Sequence, residues 1–254
     1  MSGVRLADLV SWMDETLEAD AYRDHGPNGL QVVGADEVAR LASAVSVSLE
    51  VIERAAADGA QALLVHHGLF WDGQDPAIGV LERRRLEALF AADLSLIAYH
   101  LPLDGHPALG NNALLADLLG LHERGRFAEH RGRLLGVHGA LPEPRAVRDV
   151  ADALGAALGS NPLVLAGGDH PVRTVGIVSG GATRDIRQAA ALGLDAFVTG
   201  EPSEDAAYLA RELGVHFIAA GHNATETVGV QALAAAAAER FGIATTFLPV
   251  VNPV

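Results

Sequence analysis

Three short apolar runs in this chain each end in side chains that can hold a metal ion. "ALLV" is followed by His66 and His67, "LSLIAY" by His100 and then Asp104, and "HFIAA" by His222, with Glu226 four positions on. Imidazole nitrogen and carboxylate oxygen suit zinc, manganese, iron, nickel or magnesium and do not choose sharply among them. His222 and Glu226 stand at i and i+4, so both project from one face at a helix start. Five such groups, His66, His67, Asp104, His222 and Glu226, can serve two ions, with a carboxylate such as Glu226 as the bridge. Two ions about 3.5–4 Å apart clamp a bridging water and stabilise both the attacking and the leaving oxygen of a displacement. They also lower the pKa of that water, which gives a nucleophile near neutral pH.

Each group has a plainer use when taken alone. A single histidine is more often a hydrogen-bonded structural residue, Asp104 can cap the turn at Pro102, and Glu226 can be a favourable acid in a first helical turn. Three strand ends carrying such groups together favour a metal site. Around it, His100 is a candidate acid/base group or a residue that orients a ligand. Glu201, at the end of "VTGE", can approach the same place or cap a helix. Asn112 opens a helix and reads as its cap. "SGGA" at 179–182 turns into a helix, where its backbone N–H groups could cradle a phosphate or simply make a tight turn.

These residues need a scaffold of alternating strands and helices, and the chain has that rhythm. Helical spacing covers 4–18, 50–58, about 78–91 and 110–119 in the first half, then 144–158, 183–193, 203–214 and 225–242. Pro144 stands where the first turn of the 144–158 helix is expected. Strand-like runs cover 28–34, 41–49, 61–67, 94–100, 133–141, 174–181, 195–201, 215–222 and 243–250. Such alternation predicts an α/β fold with βαβ units and mainly parallel sheets, whose ligands bind beyond the carboxyl ends of the strands. The polar stretch 123–133 is the best candidate boundary between two lobes, one of residues 1–126 with 219–254, the other of 127–218.

Composition narrows the function classes. The 254 residues include no cysteine, which removes disulfides, thiolate metal sites and cysteine nucleophiles. The net charge is −14, from 18 basic and 32 acidic residues. Nucleic-acid binding needs a basic surface, so it is set aside as a partner, and "ERRRLE" at 82–87 reads as the solvated face of a helix. The apolar runs have strand length, not membrane length, and acidic residues interrupt the N-terminal stretch at once. A cytoplasmic protein is expected.

Six segments also resemble one known family. They are "GPNGLQVVG" (26–34), "GAQALLVHHGLFW" (59–71), "AYHLPLDGHPALGNNALLADLLGL" (98–121), "VGIVSGGA" (175–182), "DAFVTGE" (195–201) and "AAGHNATETVGVQALAAAAAERFG" (219–242). Together they are similar to the NIF-three-like dinuclear metal-centre proteins, also called GTP cyclohydrolase 1 type 2 homologues, over almost the whole chain. The resemblance implies two related α/β lobes and a two-metal site on His66, His67, Asp104, His222 and Glu226. It also implies a ring-shaped homohexamer with metal sites facing its interior. Two positions depart from the common family pattern: Gly68 stands where many members have proline, and Ser48 where many have aspartate. Neither is one of the five ligands.

The function expected is a metal-dependent hydrolase that uses a metal-bridging water on a nucleotide-like small molecule, with His100 and Glu201 handling protons. The alternative is a non-enzymatic protein that binds or delivers metal, or an interaction scaffold.

Overall fold

A computed structural model describes residues 3–252. In chain order the elements are β1 (Val4–Arg5), α1 (Leu6–Leu17), β2 (Gly29–Val32), β3 (Glu37–Val38), β4 (Arg40–Ser46), α2 (Leu49–Ala57), β5 (Ala62–His67), α3 (Val80–Ala91), β6 (Ser95–Ala98), α4 (Leu101–Gly105) and α5 (Asn111–Leu118). They continue as β7 (His122–His130), β8 (Arg133–Arg145), α6 (Val147–Leu158), β9 (Leu163–Leu165), β10 (Val172–Ile177), α7 (Ile186–Ala191), β11 (Ala196–Thr199), α8 (Ala206–Leu213), β12 (His216–Ala219), α9 (His222–Phe241) and β13 (Ala244–Phe247). The fold is mixed α/β, as the alternating pattern predicts.

The chain forms two compact units. One runs to Leu103 and includes Gly229–Val251, and the other is chiefly Asp104–Val228. The chain therefore passes between units inside α4 and inside α9. The first unit holds a five-stranded sheet in the order β13-β4-β5-β6-β2, parallel except for β2. Its central strands bury both faces, so they read as continuous apolar runs and not as alternation. Leu63, Val65, Leu96 and Ala98 pack with Val51, Ile52 and Ala55 of α2 and Leu89 of α3. Ser48, the residue that departs from the family pattern, caps α2 by accepting a bond from the Val51 N–H at 3.2 Å.

The second unit holds a six-stranded sheet in the order β7-β8-β10-β11-β12-β9. β10, β11 and β12 are parallel, and antiparallel strands flank them on both sides. One core lies under α5 and α6, built on Leu115, Leu154, Val175 and Ile218, and another under α7 and α8, built on Ile186, Leu209, Phe197 and Phe217.

Several local expectations need correction. Val4 and Arg5, expected in a helix, pair with Val38 and Glu37 as a two-stranded ribbon. Pro144 lies in β8 and not in the first turn of α6, which starts at Val147. Residues 123–133, polar enough to suggest a boundary, form most of β7 and the turn that leads into β8. β7 is an edge strand whose first three residues are exposed, which accounts for its low hydropathy. Among the described residues no helix is long and apolar enough to cross a membrane.

Candidate metal centre

In the first unit, β5 lies between β4 and β6 and ends at the tandem histidines. Side chains alternate along a strand, but here both imidazoles come together, with ring centroids 4.7 Å apart. His66 is fully buried and its Nδ1 lies 2.8 Å from the carbonyl of Tyr99, the residue after β6. A carbonyl only accepts, so His66 Nδ1 carries the proton and Nε2 keeps its lone pair. His67 sits in register with Ser46 on β4, and its Nδ1 lies 2.9 Å from that hydroxyl. The sharp turn that follows is braced by Gln31, which accepts the Leu69 N–H at 2.8 Å. A Cβ on residue 68 would lie 2.3 Å from the Gln31 side-chain oxygen, so a larger residue there would require Gln31 to shift.

His100 follows β6 and joins the same group. Its ring centroid is 5.0 Å from that of His66 and 5.6 Å from that of His67, and Trp71 packs its edge against it at 5.1 Å. Ligand nitrogens of His66, His67 and His100 all lie within 4.8 Å of one another. Its Nδ1 is 2.7 Å from a carboxylate oxygen of Asp24. Burial pushes the Asp24 carboxyl up, but the bond and charge of His100 and further bonds from Asn28 and the His25 N–H outweigh it, leaving it at about 2.

The second unit supplies carboxylates and one imidazole. Asp104 comes from α4, a short helix that follows the strand at the Pro102 turn. It is buried and accepts bonds from Asn111 at 2.8 Å and from the Ser179 hydroxyl at 2.9 Å. Asn112 is not the helix cap that its position suggests. Fully buried, it donates to the carbonyls of Asp104 and Leu135 and accepts the Ser179 N–H at 2.8 Å. That holds the loop after β10 against the Asp104 segment.

His222 and Glu226 leave the first turn of α9 on one face, as their spacing predicts. His222 Nε2 is 3.3 Å from Glu226, and its Nδ1 is 3.2 Å from Glu201, which follows β11. The two carboxylates, Glu226 foremost, raise the imidazole to about 9. Gly180 passes directly beside this pair. It has φ +66, and a Cβ there would lie 2.3 Å from Glu226 Oε1 and 3.3 Å from His222 Nε2. In the same loop, considered from its glycines as a phosphate cradle, the Ser179, Gly180 and Ala182 N–H groups already bond Asn112, Thr225 and Thr199. Its glycines let backbone approach the metal-capable side chains.

A profile of the family described as Duf34/NIF3 (NGG1p interacting factor 3) matches residues 4–253. The chain belongs to this family. Family members named GTP cyclohydrolase 1 type 2 homolog include one from Pseudomonas aeruginosa, 43% identical over 98% of this chain and 99% of that one. Another, from Escherichia coli, is 41% identical over 97% and 98%. The solved structure titled protein ybgI, unknown function, superposes with a TM-score of 0.92 at 40% identity, covering 99% of this chain and all of that one. TTHA1606 from Thermus thermophilus superposes at 0.90 with 38% identity, again over 99% of this chain and 100% of that one.

The donor chemistry fits a divalent ion. The first unit's imidazoles have their Nδ1 atoms engaged by a carbonyl, a hydroxyl and a carboxylate, the outer contacts that orient histidine ligands in metal sites. Sequence reasoning singled out His66, His67, His100, Asp104, His222, Glu226 and Glu201. It missed Asp24, Ser46 and Asn111, which hold those residues in place.

Proposed function

We propose that the protein binds two divalent ions through His66, His67, Asp104, His222 and Glu226 and hydrolyses a nucleotide-like small molecule, with His100 and Glu201 moving protons. The observation that carries this reading is the set of buried and half-buried, outer-bonded nitrogen and oxygen donors gathered after the carboxyl ends of parallel strands in each unit. When bound, such a pair of ions activates water and offsets charge on the attacking and leaving oxygens. The name carried by the relatives, GTP cyclohydrolase 1 type 2 homolog, supports a nucleotide as the substrate class. Room for such a molecule is present beside Glu201, in a cavity of about 360 Å³ whose lining includes Gly181, Thr183, Arg184 and His130. His100 and Glu201 differ in setting. His100 is anchored by Asp24, while the Glu201 carboxylate bonds His222 and is 40% exposed, so it can exchange protons with solvent. The homohexamer that the family resemblance implies, with its sites facing inward in the cytoplasm, is part of the same proposal.

Elemental analysis of the purified protein tests the first half. About two ions per chain are expected, as a bridged pair requires, with loss on Glu226→Ala. Fewer than one ion in metal-replete protein would sink the site. Incubation of the loaded protein with a panel of nucleotides tests the second half. Turnover that disappears in His100→Ala and Glu201→Ala, with metal retained, supports the enzyme. No turnover of any nucleotide would leave a metal-binding or scaffold protein.

A further inference from the structure

Asp24 lies in an irregular segment between α1 and β2, outside every motif that points to the metal-capable residues. Its side chain is nonetheless only 2% exposed and accepts four hydrogen bonds. Oδ1 takes the His25 N–H at 2.6 Å and His100 Nδ1 at 2.7 Å. Oδ2 takes the Leu101 N–H at 2.8 Å and the Asn28 side-chain amide at 3.0 Å. Asn28 is fixed in turn, because its own oxygen accepts the His100 N–H at 2.9 Å. The carboxylate and amide thus clamp both the backbone and the ring of His100.

We propose that Asp24 is a positioning residue for His100: it holds the Nδ1–H tautomer and so leaves the Nε2 lone pair unprotonated in the group that His100 forms with His66 and His67. The inference rests on the hydrolase reading for its purpose and on geometry alone for its content. An ionised carboxylate only accepts, so His100 Nδ1 must donate to it, and the neutral ring then carries no proton on Nε2. Nε2 is the atom free to take one proton from a water in the site as the O–H bond breaks and its oxygen attacks the substrate. The same proton returns to the leaving atom, so the enzyme ends unchanged. The imidazolium formed between the two transfers is stabilised by Asp24 directly behind it, the division of labour seen where an aspartate orients a catalytic histidine.

The isosteric change Asp24→Asn separates this role from mere packing. An amide must place its NH2 on one side. At Oδ2 it would face two donors that cannot turn, the Leu101 N–H and an Asn28 amide held by His100. At Oδ1 it faces only the exposed His25 N–H and the His100 ring, and the ring can accommodate it by shifting its proton to Nε2. The substitution therefore reverses the tautomer while leaving the clamp on Leu101 in place.

The test is nitrogen NMR of the full-length protein labelled at histidine, with metal removed by chelator, at about pH 8.5, about two units above the reference imidazole value. The His100 signal is assigned by its loss in His100→Gln. The expected result is Nδ1–H in wild type and Nε2–H in Asp24→Asn. An Nε2–H ring in wild type, or an unchanged tautomer in the variant, would overturn the proposal. On any nucleotide the wild type hydrolyses, Asp24→Asn should lower kcat on the order of 100-fold, the lower range for loss of a general base, with KM little changed. An unchanged kcat also overturns it. If no nucleotide is hydrolysed, the hydrolase reading fails on its own, and the tautomer measurement still decides whether Asp24 sets the ring.

Discussion

Gly180 shows how closely the backbone must approach the candidate ligands. Its φ of +66 suits glycine, and a methyl group there would overlap Glu226 Oε1 at 2.3 Å. Gly193 separates the two demands, because it has φ +70 but nothing within 4 Å of an added Cβ. Gly193→Ala should therefore lose only the backbone preference, about 1–2 kcal/mol. Gly180→Ala should lose that and also push the Glu226 carboxylate away. The expected outcome is a lower melting temperature in both variants and loss of bound metal only in Gly180→Ala, read by elemental analysis. Equal metal content in the two would show that the Gly180 loop does not set the carboxylate. Residues of this kind are legible in sequence only in part. His66, His67, His222 and Glu226 announce themselves because they stand next to recognisable strands and at helical spacing. Asp24 does not, because its partner His100 is 76 positions away and its own segment has no period. Ser46 is equally hidden, since only the parallel register of β4 and β5 places it beside His67.

At the scale of elements, the sheet centres follow directly from the apolar runs, and the edges do not. β5, β6 and β11 are buried and rich in leucine, β-branched or aromatic residues, so tertiary packing and local propensity agree, while β4 and β12 are buried on smaller or mixed side chains. β7 is polar and β9 has only three residues, and each is a strand because a neighbour offers it hydrogen bonds. β7 has an additional tie. His130 Nε2 at its end lies 2.7 Å from Asp185, in the turn ahead of α7. That bond raises the imidazole above its usual 6.5 against the opposing effect of burial. A raised pKa means that the folded state holds the proton more tightly than the unfolded chain. The stabilisation is thus complete below pH 6.5 and is lost as pH rises through the folded value. Wild type and His130→Gln should differ most in melting temperature on the acidic side of that window and converge on the alkaline side. A gap that widens with pH would show that His130 is not held as a cation by Asp185.

At the scale of the molecule, each compact unit carries candidate ligands of its own, and Asp104 and Glu226 stand close in sequence to the two places where the chain passes from one unit to the other. Asp104 is the first residue beyond Leu103 in α4, and Glu226 precedes Gly229 in α9. An ion held by donors that only the folded chain gathers binds the folded chain and not the unfolded one, so its binding free energy adds to stability. At a free concentration a thousandfold above Kd the gain is about 4 kcal/mol. For a chain of this length each kcal/mol shifts the midpoint by roughly 2–4 °C. Removing metal with a chelator should therefore lower the melting temperature by roughly 10 °C, and adding back a divalent ion should restore it. The double variant His222→Ala, Glu226→Ala should start low and respond to neither treatment. A midpoint that ignores the chelator in wild type would mean that no bound ion stabilises the fold. A chelator response that survives in the double variant would place the stabilising ion on the imidazoles of His66, His67 and His100 alone.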